Sequence, residues 1–141
     1  MGNRRQARAA ALQALYLIDV SGISEEAALL TQEEDLKTLE EKDSDFAKDI
    51  VTGTRRFLDE IDEAIKNAAS HWKLDRMTAV DRNILRMSAY ELLHVPETPP
   101  KVAIDEAIEI AREFSTEESS KFVNGILDKI KNSTKNLPPK L

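Results

Sequence analysis

The chain has 141 residues, of which 41% are hydrophobic and 33% charged, and its formal net charge is -6. This length suffices for one ordinary hydrophobic core or two small ones, and the composition is typical of a folded globular protein. Because cysteine is absent, disulfide scaffolds, thiolate metal sites and cysteine nucleophiles are excluded. The longest uncharged run, residues 9–18, is shorter than the roughly 18 apolar residues of a membrane span, so we expect a cytoplasmic protein without membrane contact.

Charge is distributed unevenly along the chain. The first eighteen residues carry only arginines as charged side chains, at positions 4, 5 and 8. Residues 25–49 are mostly acidic, and the segment from Lys121 onward is basic again. Since acidic segments repel nucleic acid, any polyanionic partner is expected to contact the two basic ends.

Helical periodicity begins near the amino terminus. Asn3 is a candidate N-cap for a first helix that ends near Val20, where Ser21 and Gly22 supply a stop. This helix is apolar on nearly every side, which predicts that it is buried or covered by a partner. Ser24 is a candidate cap for a short second helix, and residues 32–42 are predicted to form a loop or a marginal helix.

The longest periodic pattern covers residues 44–68 and predicts one long amphipathic helix. The chain is expected to turn at residues 71–73. Thr78, followed three positions later by Asp81, resembles a capping box and predicts the start of the next helix. Prolines within residues 96–100 end that helix.

Two more helices are predicted toward the carboxy terminus. The first spans residues 101–114, and Ser115 with Glu118 matches a capping box that starts the last one. Gly125 lies inside this last helix, where it costs about 1 kcal/mol relative to alanine, so we expect close approach of another helix there. Residues 136–141 are predicted to be a frayed tail. No run of alternating β-branched residues indicates a strand, and the fold class is therefore all-α.

Basic residues at the start of the first helix are the most informative chemical feature. A helix amino terminus carries about half a positive charge, so the arginines at positions 4, 5 and 8 are unfavourable there unless an anion joins them. The planar fork of arginine suits phosphate, which makes a nucleic-acid phosphate the predicted anion. The alternative is a solvated terminus that only improves solubility. Lys121 and Phe122 place a second cation near a helix start, and the two basic ends together would make one anion groove.

The sequence carries no signature of an enzyme. His71 and His94 lie in separate turns without a metal-spaced partner. The chain has only four glycines, and no glycine-rich phosphate loop or nucleophile elbow is found around them. The sequence also has no signature of a serine triad. We therefore expect no catalytic residue, no metal and no cofactor.

Several segments resemble the NusB family of bacterial transcription antitermination factors, in matching order and over nearly the whole chain. They are residues 4–8, 12–16, 81–86, 90–92, 102–107 and 121–128. The resemblance implies about seven helices in two small packed bundles, residues 1–70 and 71–135. It also implies a non-enzymatic adaptor that binds single-stranded boxA RNA together with NusE and acts with RNA polymerase in an antitermination complex.

The resemblance also assigns site residues. The implied RNA-binding residues are Arg4, Arg5, Arg8, Gln13, Tyr16, Lys121, Phe122 and Asn124. The implied contacts with the protein partner are Asp81, Arg82 and Glu91. Whether the two aromatic residues stack on bases or belong to the core stays open, as does the choice between a monomer and a homodimer. The alternative function is a helical protein-interaction module that does not bind RNA directly.

Overall fold

The computed structural model describes residues 2–134, and within that range the chain is all-α, as predicted. The elements are α1 (Gly2–Ser21), α2 (Glu25–Leu30), α3 (Glu33–Lys37), α4 (Glu41–Arg56), α5 (Leu58–Ala68), a 3-10 turn (Leu74–Arg76), α6 (Ala79–His94), α7 (Pro100–Phe114) and α8 (Glu117–Ser133). The tail predicted for residues 136–141 lies outside this range. None of the helices described combines the length and the apolar character that crossing a membrane requires.

The chain divides into two compact units, which meet in the sequence between Arg56 and Phe57. This boundary precedes the one expected near residue 70. The reason is that α5 packs on α6 and α8, whereas α4 packs on α1. We call the part up to Arg56 the amino-terminal unit and the part from Phe57 the carboxy-terminal unit.

In the amino-terminal unit, the apolar face of α1 packs on α4. Small residues dominate one part of this core, where Ala7, Ala10 and Ala47 cluster with Leu36. The stop at the end of α1 is confirmed, because Gly22 has φ +69°, a left-handed conformation that favours glycine. The predicted cap Asn3 is wrong, since the helix already includes Asn3 and begins at Gly2.

The single long helix predicted over residues 44–68 is also wrong, because the chain breaks it at Phe57. The backbone there has φ -105° and ψ 25° and leaves helical geometry, and α5 starts at the next residue. The Phe57 ring stacks on His94 of α6, with a centroid distance of 4.1 Å and an interplanar angle of 12°. This break adds one helix, so residues 2–134 contain eight α-helices where about seven were expected.

The carboxy-terminal unit is built around α6, which contacts α5, α7 and α8. Its fully buried side chains include Ile61, Ile84 and Leu127. The unit also contains a two-pronged ion pair, in which Arg86 Nε and NH2 donate to the two carboxylate oxygens of Asp62 at 2.9 and 3.0 Å. The α5–α6 contact is thus both apolar and charged.

The predicted cap of α6 is confirmed, whereas the predicted cap of α8 is wrong by one residue. Thr78 caps α6 as predicted, because its hydroxyl accepts a hydrogen bond from the backbone N–H of Asp81 at 3.1 Å. In α8 the cap is Thr116 rather than Ser115, and its hydroxyl accepts from the N–H of Ser119 at 2.9 Å. Ser115 is unsuited because its own N–H still bonds Ala111 and closes α7, whereas Thr116 has the extended backbone of a cap.

Candidate nucleic-acid interface

Arg4, in the first turn of α1, is held against α4. Its Nε lies 3.5 Å from Oδ1 of Asp43, and its guanidinium lies 4.1 Å from the centre of the Phe46 ring. The Asp43 side chain is nearly buried, while 41% of the Arg4 side chain stays exposed. Part of the charge of Arg4 is therefore already neutralised within the amino-terminal unit, although the side chain can still reach solvent.

Arg8 is buried, with 5% of its surface exposed, and its guanidinium lies 5.1 Å from the same Phe46 ring. Phe46 thus receives two arginines, one turn apart on α1. The sequence-based interpretation gave all three arginines direct phosphate contacts, and the burial of Arg8 contradicts it for that residue. The reason is packing between helices. Helix periodicity does not decide whether Arg8 is buried or exposed, and the Phe46 ring on α4 lies against it.

Three of the predicted RNA-binding residues on α1 face solvent. Arg5, Gln13 and Tyr16 are exposed, and 37% of Tyr16 is accessible. Because an α-helix has 3.6 residues per turn, Arg5 and Tyr16 lie on one face about three turns apart, with Gln13 beside Tyr16. Tyr16 is therefore not a core residue, and α1 presents a cation, an amide and an aromatic ring on one side.

The start of α8 presents a second exposed group. Lys121 and Asn124 are exposed, and the Lys121 ammonium has only a distant contact with Glu118, at 3.8 Å, between two exposed side chains. Such surface pairs contribute little and leave the cation available to an anion. Lys121 and Asn124 are one turn apart and lie on the same face of α8.

Gly125 is exposed, and the close helix approach predicted for it is wrong. A Cβ atom added at Gly125 would meet no described heavy atom within 4 Å outside its own helix. The position is not required for packing within residues 2–134. It leaves a stretch of α8 without a side chain beside Asn124, one turn after Phe122.

Phe122 is half-buried, and its ring packs edge-to-face against Trp72, with centroids 5.8 Å apart at an interplanar angle of 77°. Trp72 itself is 55% exposed. Sequence reasoning missed Trp72 as a functional candidate and took residues 71–73 only as a turn. The available signal was a large aromatic residue between two side chains that can carry positive charge, His71 and Lys73.

The three residues assigned to the protein partner are part of the carboxy-terminal unit's own framework. Asp81 Oδ2 accepts a hydrogen bond from the Ser119 hydroxyl at 2.8 Å. Arg82 NH1 donates to the backbone carbonyls of Leu74 and Met77, at 2.9 and 3.1 Å. Glu91 is 2% exposed, and this burial contradicts the direct contact with a partner protein that was assigned to it.

Asp81 and Arg82 together have a further consequence for the interface. Asp81 ties the start of α6 to the first turn of α8, just before Phe122. Its neighbour Arg82 ties the same start to the 3-10 turn that follows Trp72. One turn of α6 therefore anchors both segments that carry the aromatic pair.

Comparison with known proteins identifies the family. The NusB family model matches residues 5–132. The chain belongs to the NusB family. A transcription antitermination protein NusB from Elusimicrobium minutum is 48% identical over 138 residues, covering 96% of this chain and 98% of the relative.

NusB proteins of known structure share the fold. The structure of T. maritima NusB superimposes with a TM-score of 0.84 at 39% identity, covering 96% of this chain and 93% of the other. A crystal structure of the antitermination factors NusB and NusE in complex with double-stranded RNA gives a TM-score of 0.85 at 27% identity, covering 94% of this chain and 98% of the matched one.

Proposed function

We propose that this NusB-family protein is a non-enzymatic adaptor in transcription antitermination, which binds the single-stranded boxA element of nascent ribosomal transcripts together with NusE in the cytoplasm. Its place would be the RNA polymerase antitermination complex, where it promotes readthrough. The names of its relatives and the NusB–NusE–RNA crystal structure support this role. The observation that carries direct RNA binding is the exposed group on α8, where Lys121 and Asn124 adjoin Phe122 and a bare glycine.

Each unit contributes an exposed surface with the chemistry of a single-strand binder. On α1, Arg5 supplies charge and Tyr16 supplies a ring; on α8, Lys121 and Phe122 do the same. Cations hold the phosphate backbone, and aromatic faces stack on unpaired bases. This combination supports RNA binding by a chain whose net charge is -6.

Arg4 and Arg8 take a different part in this proposal. Arg4 adds a partly neutralised cation at the edge of the α1 surface, and Arg8 acts from inside by packing on Phe46. Both keep the start of α1 against α4 and so fix the position of Arg5. Arg5 is the most exposed of the three and is expected to contact a phosphate.

NusE is proposed to bind the carboxy-terminal unit near the start of α6. Asp81 and Arg82 shape that surface through their contacts with α8 and the 3-10 turn. Glu91 supports it from the core. The oligomeric state of the free protein, monomer or homodimer, is a separate question that sedimentation would answer.

A titration of labelled boxA RNA with this protein, with and without NusE, tests the proposal. We expect binding that tightens when NusE is added and weakens as salt increases, because each phosphate contact releases counterions. A scrambled RNA of the same length serves as the control. Binding to NusE without any boxA binding, alone or in the complex, would instead support the helical protein-interaction module.

A further inference from the structure

We propose that Trp72 is a second base-stacking residue, which forms with Phe122 a two-ring platform for unpaired bases of the bound RNA. We call these two residues the Trp72/Phe122 platform. The proposal rests on the RNA-binding function and extends it to the turn between α5 and α6, a segment to which the family resemblance assigned no role.

The exposure of Trp72 is the first observation. An indole that remains 55% exposed leaves a large apolar face in water, although α5, α6 and α8 of the same unit offer a core. In the edge-to-face contact between Trp72 and Phe122, the edge of one ring points at one face of the other. The contact therefore covers one aromatic face and leaves the other faces of the pair uncovered by it. An aromatic face therefore remains open to a planar ligand.

The surroundings of Trp72 carry a small excess of positive charge, from two lysines against one aspartate. Trp72 lines an open cavity of about 540 Å3 together with Lys66, His71, Lys73 and Asp75. Sites for small ligands typically measure about 300 to 1,000 Å3, so this cavity has the size of such sites. Within residues 2–134, no ion pair involves Lys66 or Lys73. Two ammonium groups beside an exposed ring can bind a phosphate while the ring stacks on the adjacent base. The same charges disfavour an apolar protein segment as the occupant.

The turn that carries Trp72 is ordered before any ligand binds. The N–H of Trp72 donates to the carbonyl of Ala69 at 2.9 Å, and the N–H of Ala69 donates to Ile65 at 2.8 Å. Downstream, Arg82 holds the carbonyl of Leu74. Because these bonds fix the backbone on both sides of the ring, stacking costs little ordering entropy, which favours affinity.

The platform can be observed directly, because Trp72 is the chain's one tryptophan. We expect single-stranded boxA RNA to quench the tryptophan emission, with the same midpoint as the anisotropy change of labelled RNA. The fully paired duplex of the same sequence is the matched control, since its bases are not free to stack on a side chain. It should quench much less at equal occupancy.

Substitutions provide the second measurement. Loss of one stacked base lowers affinity by roughly 5- to 150-fold, so we expect this loss for Trp72→Ala and only a small one for Trp72→Phe. Leu30→Ala removes an exposed large side chain of the amino-terminal unit and should leave RNA affinity unchanged. Circular dichroism checks that all three variants keep the helical fold. In boxA RNA with one abasic nucleotide at the stacked position, Trp72→Ala should cause no additional loss.

The outcomes separate this proposal from the function on which it rests. Tight boxA binding with unchanged emission and unchanged affinity of Trp72→Ala would overturn the platform and leave the proposed function intact. Absence of boxA binding by the unmodified protein, with and without NusE, would overturn both. Emission that changes on addition of NusE alone, and not of RNA, would assign Trp72 to a protein interface and overturn the platform.

Discussion

The Ser119 hydroxyl in the first turn of α8 donates a hydrogen bond to Oδ2 of Asp81 in the first turn of α6, at 2.8 Å. Asp81 is 9% exposed, and its other carboxylate oxygen, Oδ1, is buried without a hydrogen-bond partner among residues 2–134. The two helix starts are thus joined by one charged hydrogen bond at the place where Thr78 caps α6. The junction lies just before Lys121 and Phe122 in the sequence.

Asp81→Ala is expected to destabilise the protein by about 1 to 3 kcal/mol, because it removes a charge-assisted hydrogen bond and leaves the Ser119 hydroxyl without this acceptor. Urea denaturation measures the change. The control is the double variant with Ser119→Ala. Its loss should be clearly smaller than the sum of the two single losses, and simple additivity would contradict a direct coupling.

Arg86→Lys is expected to lower stability by about 1 to 2 kcal/mol although it preserves charge, because a lysine cannot make the two-pronged contact with Asp62. Both partners are largely buried, with side-chain exposures of 12% and 23%. Thermal denaturation gives the shift. The matched control is Lys101→Ala, which breaks the exposed pair with Asp105 and should cost well under about 1 kcal/mol. Equal effects of the two variants would refute this assignment.

Gly125→Ala is expected to stabilise α8 by up to about 1 kcal/mol, since the added methyl group enters open space and alanine is the better helix former. If RNA approaches the bare backbone here, the same variant binds boxA RNA more weakly. Calorimetry measures the change in stability and RNA anisotropy the change in affinity, both on the same preparation. A loss of stability would mean that the space beside Gly125 is filled in the folded protein.

Arg5→Ala and Arg8→Ala should affect different properties. Arg5→Ala removes an exposed cation, so we expect weaker boxA binding, a salt slope flattened by about 0.7 and a smaller loss of stability than for Arg8→Ala. Arg8→Ala removes a buried side chain from the face of Phe46 and should lower the melting temperature. Measuring both variants in both assays is decisive, because equal behaviour would contradict the division between a surface arginine and a packed one.

Local patterns were sufficient to predict much of the fold. Apolar spacing predicted the helices, and the stop at Gly22 and the cap at Thr78 depend on interactions within a few residues. The break at Phe57 escaped prediction because the apolar spacing continues in helical register through it, from Ile50 to Ile61. Its stabilising contact, the stack on His94, joins residues far apart in the sequence.

The candidate site was predictable in type and less so in detail. The sequence locates cations and aromatic residues at both ends, but it does not show which cations are buried. Arg8 is covered because Phe46 lies opposite it on another helix, and Phe122 meets Trp72 only through the packing of the carboxy-terminal unit. Such contacts join segments that are far apart in the sequence. They depend on the tertiary structure and cannot be predicted from residue spacing.

The double contact of Phe46 with Arg4 and Arg8 has a practical consequence for work with this protein. The first two turns of α1 contribute Ala7 to a hydrophobic core and hold the buried side chain of Arg8. Trimming of the opening residues to test their contribution to RNA affinity would also remove the buried side chains of Ala7 and Arg8. Point substitutions are therefore more informative than truncations.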